Sequence, residues 1–157
     1  MKKHNEAKDV LEARFLGIMR KGHAKLIKKM NLSNNVVLKG YVNHSDVINN
    51  LLESDVLWLM QNDVVRSPGK LFEYFGAKKP ILACIPDGVL RKIALDTKAT
   101  LVTNPKDVIA IEHAIETFYN LWKNKSLPLT DNEYTEQFNR KILTNELSKE
   151  LALATDL

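Results

Sequence analysis

The residues best suited to chemistry lie between Ser67 and Pro80, where the sequence reads Ser-Pro-Gly-Lys-Leu-Phe-Glu-Tyr-Phe-Gly-Ala-Lys-Lys-Pro. Ser67 is a favourable N-cap, and Pro68 falls at the first helical position, where a missing N–H costs nothing. Gly69 has no side chain, so a ligand can approach the first-turn amides closely. Those amides and the positive end of the helix dipole suit a phosphate group.

Two charged side chains extend this pattern. Lys70 adds a mobile positive charge beside the first turn, and Glu73 lies one turn later on the same face. The stretch therefore predicts a helix that holds pyrophosphate at its tip and a sugar diol on its flank. The alternative is purely structural, since Ser-Pro often begins helices and Leu71, Phe72 and Phe75 are spaced as a core face.

Length and composition bound the class of protein. A chain of 157 residues with 45% hydrophobic and 27% charged residues predicts one soluble domain, residues 1–157, with a substantial core. The N-terminus is polar and no apolar run approaches membrane-spanning length, which favours a cytoplasmic location. The lone Cys84 lies in an apolar run and is expected to be a buried thiol.

Basic residues are concentrated early in the chain, and they predict a basic helical face: Lys2, Lys3, Lys8, Arg20, Lys21, Lys25, Lys28 and Lys29. A solvated face is the favoured interpretation, and peripheral contact with an anionic membrane is the alternative. No aromatic residues interleave with these charges, so we expect no nucleic-acid partner.

Short apolar segments alternate with helical patterns along the chain. Strands are predicted at residues 13–18, 36–38, 55–60, 80–85 and 100–102. Helices are predicted at residues 2–11, 21–30, 45–54, 89–95 and 107–123, with a long closing helix over 131–157. A short helix is also predicted to start at Pro68 and to stop before Pro80. This order predicts an α/β fold, a Rossmann-like parallel sheet of about five strands with helices on both faces and long C-terminal helices.

Capping residues and inward faces can be assigned from spacing. Ser45, Asp107 and Asp131 are the expected helix-starting residues. The side chains expected to face the core are Ala24, Ile27, Met30, Val47, Ile48, Leu51, Leu52, Val108, Ile111, Ile115, Phe118, Trp122, Tyr134, Phe138, Ile142, Leu147 and Leu151. In parallel sheets, ligands bind beyond the carboxyl ends of the strands, and the helix after Gly69 begins there.

The segment from Ser67 to Ala83 resembles the nucleotide-sugar motif of bacterial group 1 (family 4) glycosyltransferases. Two further segments resemble that family in the same order: Gly40-Tyr41-Val42-Asn43-His44 with Asp55-Val56-Leu57, and Gln137-Phe138-Asn139-Arg140 with Leu143-Thr144. The likeness covers nearly the whole chain. It implies the C-terminal, donor-binding half of a GT-B fold, in which two Rossmann-like domains face each other.

The resemblance also implies roles for individual residues. Glu73 would accept hydrogen bonds from the donor ribose hydroxyls. Lys70 and the amides near Pro68 to Leu71, in the turn that Ser67 caps, would hold the diphosphate. Tyr41 and Val42 would lie near the base. The donor is a nucleoside-diphosphate sugar and no metal or other cofactor is expected. Bacterial surface polysaccharide is the implied product.

Several positions depart from the family pattern. Val65 stands where many members carry an acidic residue, Arg66 is a substitute phosphate ligand or a solvated charge, and Lys78 replaces a usual glycine. If Lys78 is left-handed, the strain costs roughly 1 kcal/mol, unless Gly76 takes the turn. The chain contains no counterpart of the acceptor domain, and it is expected to begin after the first donor-domain strand.

Two hypotheses follow. The first is the donor-binding part of a glycosyltransferase, whose acceptor-binding domain would be a separate partner. The second is a non-catalytic, truncated or split subunit that binds nucleotide or associates with a partner or with itself. The four histidines and one cysteine have no metal-ligand spacing, and phosphate-loop and Gly-x-Ser-x-Gly motifs are absent from the sequence.

Overall fold

The computed structural model describes residues 5–64 and 69–155. Within it the chain forms two compact units, residues 1–50 and 51–157. Parallel strands alternate with helices in both, which confirms the predicted α/β class. The strands form one pair and one group of three, so the single five-stranded sheet stays a prediction.

The first unit contains one parallel pair of strands. Its elements are α1 (Asn5–Val10), β1 (Ala13–Leu16), α2 (Lys21–Lys29), β2 (Val36–Gly40) and the greater part of α3 (His44–Glu53). β1 pairs with β2 in register from Ala13 opposite Val36. The pair ends where Gly17 donates its N–H to the Gly40 carbonyl at 2.7 Å. Both glycines have positive φ, 109° and 67°, which ordinary residues adopt only with strain.

A buried asparagine joins α1 to the start of β2. The Asn35 side-chain amide donates to the carbonyls of Lys8 and Leu11, at 2.5 and 2.9 Å. The last carbonyls of a helix lack partners within the helix. Asn35 therefore satisfies polar groups that burial would otherwise leave unpaired.

The N-cap of α3 differs from the prediction. Asn43 Oδ1 accepts from the Asp46 amide at 2.8 Å and from the Ser45 hydroxyl at 2.6 Å. The prediction of Ser45 as the cap is wrong, because the helix already includes His44 and the Asn43 side chain accepts from the first-turn amide of Asp46.

The second unit contains a parallel three-stranded sheet. Its elements are β3 (Leu57–Met60), α4 (Gly69–Ala77), β4 (Ile81–Cys84), α5 (Val89–Asp96), β5 (Thr100–Thr103), α6 (Val108–Lys123), α7 (Asn132–Glu136) and α8 (Arg140–Thr155). β4 lies between β3 and β5, and Leu57, Ile81 and Thr100 are aligned. All four residues of β4 are buried, as expected of a central parallel strand.

Helices cover both faces of this sheet. Ile81 and Ala83 pack with Leu71, Phe75 and Ala94 from α4 and α5. The alternate side chains of β4, Leu82 and Cys84, pack with Ala114 and Phe118 of α6. Successive side chains of a strand point to opposite faces, so one strand supplies both cores. Cys84 is fully buried, as predicted, and its Sγ accepts from the Trp58 indole N–H at 3.3 Å.

Several side chains predicted to face the core are exposed. They are Met30, Ile48, Leu52, Val108, Ile115, Trp122, Ile142, Leu147 and Leu151. In α6 the buried positions are Ala114 and Phe118, with Ile111 and Leu121 beside them. The buried stripe keeps Ile111 and Phe118 from the prediction and adds Ala114 and Leu121. The helix predicted from Asp107 begins at Val108, and the Asp107 carboxylate caps it by accepting from the Ala110 amide at 2.9 Å.

The closing helix is interrupted. Asp131 caps a helix as predicted, accepting from the Tyr134 amide at 3.2 Å, but that helix ends at Glu136. α8 begins at Arg140, where Asn139 Oδ1 accepts from the Lys141 amide at 3.0 Å. The prediction of one helix over 131–157 is wrong, because this local side-chain hydrogen bond caps a new helix start.

The turn between α4 and β4 falls on Lys78. Its φ is 55°, while Gly76 remains within the helix. The Lys78 amide donates to the Phe75 carbonyl at 3.1 Å. The left-handed cap therefore rests on a lysine, at a cost of roughly 1 kcal/mol relative to glycine.

Candidate functional site

The buried face of α4 belongs to the core of the second unit. Leu71 is 0% and Phe75 3% exposed, and Phe72 packs beside them. The Phe72 and Phe75 rings meet edge to face at 5.9 Å between centroids. The structural interpretation of these three residues is confirmed. The Leu71 side chain is therefore committed to packing, and its expected role with a ligand rests on its backbone.

The opposite face of α4 carries the predicted ligand-binding residues. Gly69, Lys70 and Glu73 are all exposed. Residues three and four apart are neighbours on a helix surface, so these positions share one face. Among residues 5–64 and 69–155, neither the Lys70 ammonium nor the Glu73 carboxylate makes a hydrogen bond or an ion pair. Both charged groups can therefore accept a ligand without losing a partner within that part of the chain.

Space is open beside Gly69. A Cβ atom built on this residue meets, within 4 Å, no atom of the described residues beyond its chain neighbours and the backbone of its own helix, and its φ is not positive. Neither backbone strain nor crowding explains a glycine here. The sequence predicts a use for this glycine, since backbone amides are most accessible to a ligand where no side chain shields them.

Tyr74 fastens the same helix to the sheet. Its hydroxyl donates to the Trp58 carbonyl of β3 at 3.2 Å. Burial raises the pKa of the Tyr74 hydroxyl above its ordinary value, and the negative charge of Glu73 raises it further. The tyrosine therefore stays neutral, and it holds α4 at a fixed position on β3.

The three strands end together beside this helix. The Gln61 amide donates to the Cys84 carbonyl and the Ile85 amide to the Thr103 carbonyl, both at 3.0 Å. Gly88, at φ 152°, precedes α5 and provides no side-chain cap. α4, α5 and α6 therefore all begin at the carboxyl edge of the sheet, where open α/β sheets bind ligands.

One polar residue at this edge was absent from the sequence prediction. The Thr103 hydroxyl is buried and lacks a hydrogen-bond partner within the described residues. The predicted strand ends at Val102 and does not include Thr103, which is the last residue of β5. Only a two-residue alternation of Leu101 and Thr103 hinted that the strand continues. A shallow depression lies nearby in the chain, lined by Asn104, Lys106, Asp107, Val108 and Ile109.

The remaining predicted residues lie elsewhere. Tyr41 and Val42 belong to the first unit, directly after β2, and Tyr41 is 85% exposed while Val42 is half-buried. Ser67, Pro68 and Arg66 lie outside the described residues, as does Val65. The structure thus brings Gly69, Lys70 and Glu73 together on α4.

The described residues contain neither a candidate metal-binding cluster nor a helix that could span a membrane. No three His, Cys, Asp or Glu side chains there are grouped so that they could hold a metal ion. No helix in that part of the chain has the length and apolar character to cross a bilayer.

Comparison of the chain with protein-family models, with curated proteins and with solved structures gives no match. The site must therefore be interpreted from its residues and from the family resemblance of the sequence.

Proposed function

We propose that this chain is the donor-binding part of a glycosyltransferase, which binds a nucleoside-diphosphate sugar. The observation that carries the proposal is the outward face of α4. On that face Gly69, Lys70 and Glu73 lie at helical spacing. Gly69 has open space beside it, and the Lys70 and Glu73 side chains have no partner among the described residues. The buried face of the same helix fixes them at the carboxyl edge of a parallel sheet.

The chemistry of each group suits one part of the donor. An ionised Glu73 carboxylate can accept from two adjacent hydroxyls of a ribose. The Lys70 ammonium and the amides at the start of α4 can neutralise the diphosphate. Such charge stabilisation favours loss of a nucleoside diphosphate as an acceptor hydroxyl attacks the anomeric carbon.

The proposal has consequences for the whole protein. It includes one five-stranded Rossmann-like sheet, a cytoplasmic location and a role in bacterial surface polysaccharide synthesis. The acceptor site would come from a separate acceptor-binding domain. We therefore expect the purified chain to bind nucleotide but to transfer little or no sugar, and robust transfer by the chain alone would contradict this.

The test is calorimetric titration of the full chain with UDP, GDP, ADP and CMP. We expect one diphosphate to bind best, and Glu73→Ala to weaken it roughly 10-fold or more, because a hydrogen bond to a charged group contributes about 1.5–3 kcal/mol. Glu73→Gln should bind with intermediate affinity, since it keeps one acceptor and loses the charge.

The matched control is Glu150→Ala, which removes an exposed carboxylate from α8. It should leave nucleotide affinity unchanged. If no nucleotide binds, or if Glu73→Ala and Glu150→Ala bind equally well, the ribose assignment is wrong.

A second candidate function is a non-catalytic subunit that associates with a partner. The observation that favours it is α8, whose sixteen residues are all exposed, including Leu143, Leu147 and Leu151. Copurification with a separate acceptor domain would favour a split enzyme, and stable self-association would favour a docking role. Light scattering of the purified chain distinguishes self-association from a monomer.

A further inference from the structure

The first unit contains a long stretch of basic sequence without acidic residues. From Ala13 to Ser45 the sequence has seven lysines and arginines and no aspartate or glutamate, so its formal charge is +7, compared with +4 for the whole chain. Four of the seven lie in α2 and one directly precedes it. The excess is therefore local to this helix and cannot be inferred from the net charge.

α2 presents its charges in a row. Lys21, Lys25 and Lys29 recur every fourth residue, which places them on one face of the helix, and all three are exposed. Ala24 and Ile27 are half-buried and face the other way. Within residues 5–64 and 69–155 no ion pair involves the lysines of α2, so their charge is not neutralised by neighbours there.

Apolar side chains accompany the lysine row. Leu26 is 51% and Met30 58% exposed, and each directly follows a lysine of that row. Residues four apart lie on the same side of a helix, so the two form one apolar strip. Lysines beside exposed leucine and methionine are typical of helices that lie on a membrane surface.

We propose that α2 is a docking surface for an anionic lipid bilayer. The ammonium groups of the lysine row contact lipid phosphates, and Leu26 and Met30 enter the boundary between headgroups and acyl chains. A lipid surface fits better than a nucleic acid, because α2 has no Phe, Tyr or Trp side chain on which bases could stack. The half-buried Ala24 and Ile27 keep the other face of α2 within its unit, so only the lysine row and the apolar strip contact the bilayer.

The test is co-sedimentation of the full chain with vesicles of phosphatidylcholine, with and without phosphatidylglycerol. We expect binding only to the anionic vesicles, and weaker binding as the salt concentration rises. Lys25→Ala with Lys29→Ala should weaken it by roughly 25-fold, about fivefold for each charge removed near the surface.

The control pair is Lys92→Ala with Lys149→Ala, which removes the same charge from exposed sites of the second unit. It should bind the vesicles within about twofold of the wild type, because the proposal assigns the lipid contact to α2 and this pair leaves α2 unchanged. Equal losses in both pairs would mean that net charge, and not α2, drives binding, and would overturn the proposal.

Leu26→Ser with Met30→Ser separates a bilayer from other polyanions. It should weaken vesicle binding and leave binding to a single-stranded oligonucleotide unchanged. The proposal is overturned if the chain fails to bind anionic vesicles at low salt. It is also overturned if the chain binds the oligonucleotide more tightly than the vesicles and Leu26→Ser with Met30→Ser leaves vesicle binding unchanged. Neither result depends on whether the chain binds a nucleotide.

Discussion

At the scale of single residues, the glycines of this chain serve different purposes. Gly17 and Gly40 have φ of 109° and 67°, so the backbone itself requires them. Gly69 and Gly76 lie in α4 without positive φ and with open space around them. The fold does not require a glycine at either of these helical positions. A ligand that approaches the first turn of α4 would require one at Gly69 alone.

Gly69→Ala and Gly76→Ala form a matched pair on one helix. Each should keep or raise stability by about 0.5–1 kcal/mol, because alanine loses less conformational entropy on folding and meets no other atom. Only Gly69→Ala should weaken nucleotide binding, since its methyl group shields the first-turn amides. Thermal unfolding and calorimetric titration measure the two effects. Equal nucleotide affinity in both variants would contradict a close approach at Gly69.

At the scale of secondary-structure elements, α7 and α8 contribute unequally to the fold. The Phe138 ring, which follows α7, lies 5.1 Å from that of Phe72, 5.6 Å from that of Phe75 and 5.6 Å from that of Tyr134. α8 begins two residues later and has no buried side chain. The aromatic cluster therefore attaches the C-terminal region to α4, and α8 does not.

This difference predicts unequal effects of truncation to alanine. Phe138→Ala should lower the free energy of unfolding by about 2–3 kcal/mol, because it removes three ring contacts from a half-buried site. Leu147→Ala, in α8, should change it by less than about 0.5 kcal/mol, because an exposed leucine loses little contact area. Denaturant unfolding measures both, and a large loss in Leu147→Ala would mean that α8 packs against something in solution.

The cap of α7 should respond to pH. Lys98 Nζ lies 2.8 Å from Asp131 Oδ2, and this hydrogen bond, with help from the Tyr134 amide, lowers the pKa of the Asp131 carboxyl. A lowered folded-state pKa stabilises the protein above the ordinary carboxyl pKa, and the stabilisation is lost as pH falls through the folded-state value. The same ion pair raises the pKa of Lys98, so it persists through neutral and moderately alkaline pH.

Asp131→Asn should therefore be less stable than the wild type near neutral pH, with the difference narrowing as pH falls below about 4. The asparagine can still cap the helix, so the change isolates the charge. Lys98→Gln should show the same pH dependence. The double variant should lose no more pH-dependent stability than either single variant. Denaturant unfolding at neutral and acidic pH measures this, and a difference that stays constant would contradict the linkage.

At the scale of the whole molecule, burial is distributed unevenly between the two units. Among the described residues of 1–50, the buried side chains are Ala7 and Asn35. The second unit contains both hydrophobic clusters and a central strand buried on both faces. Local opening is easiest where few apolar contacts must be broken.

Hydrogen exchange should reflect that distribution. The amides of β4 should be the slowest to exchange, and those of β1 and β2 should exchange earlier, because a two-stranded sheet with little burial opens at low cost. Mass spectrometry of peptides from the two units measures the order. Equal protection in β1 and β4 would show that the units unfold together.

Local sequence signals determined much of this structure. Five apolar segments became the five strands, and Asp107 and Asp131 cap helices where expected, because caps and short apolar runs depend on near neighbours. The sequence predicts a left-handed residue at Lys78 or at Gly76, and the structure shows it at Lys78. The apolar spacing of Leu71, Phe72 and Phe75 likewise predicted the buried face of α4, and with it the exposure of Glu73.

Tertiary structure decided which candidates face solvent. Apolar spacing marks a stripe on a helix, but the stripe is buried only if another element covers it, and Leu147 and Leu151 of α8 are left exposed. The burial of Ala114 against Leu82 and Cys84 likewise depends on contacts made after the chain folds. The open space beside Gly69 also depends on tertiary structure, because atoms from distant parts of the chain decide whether that helix tip stays accessible.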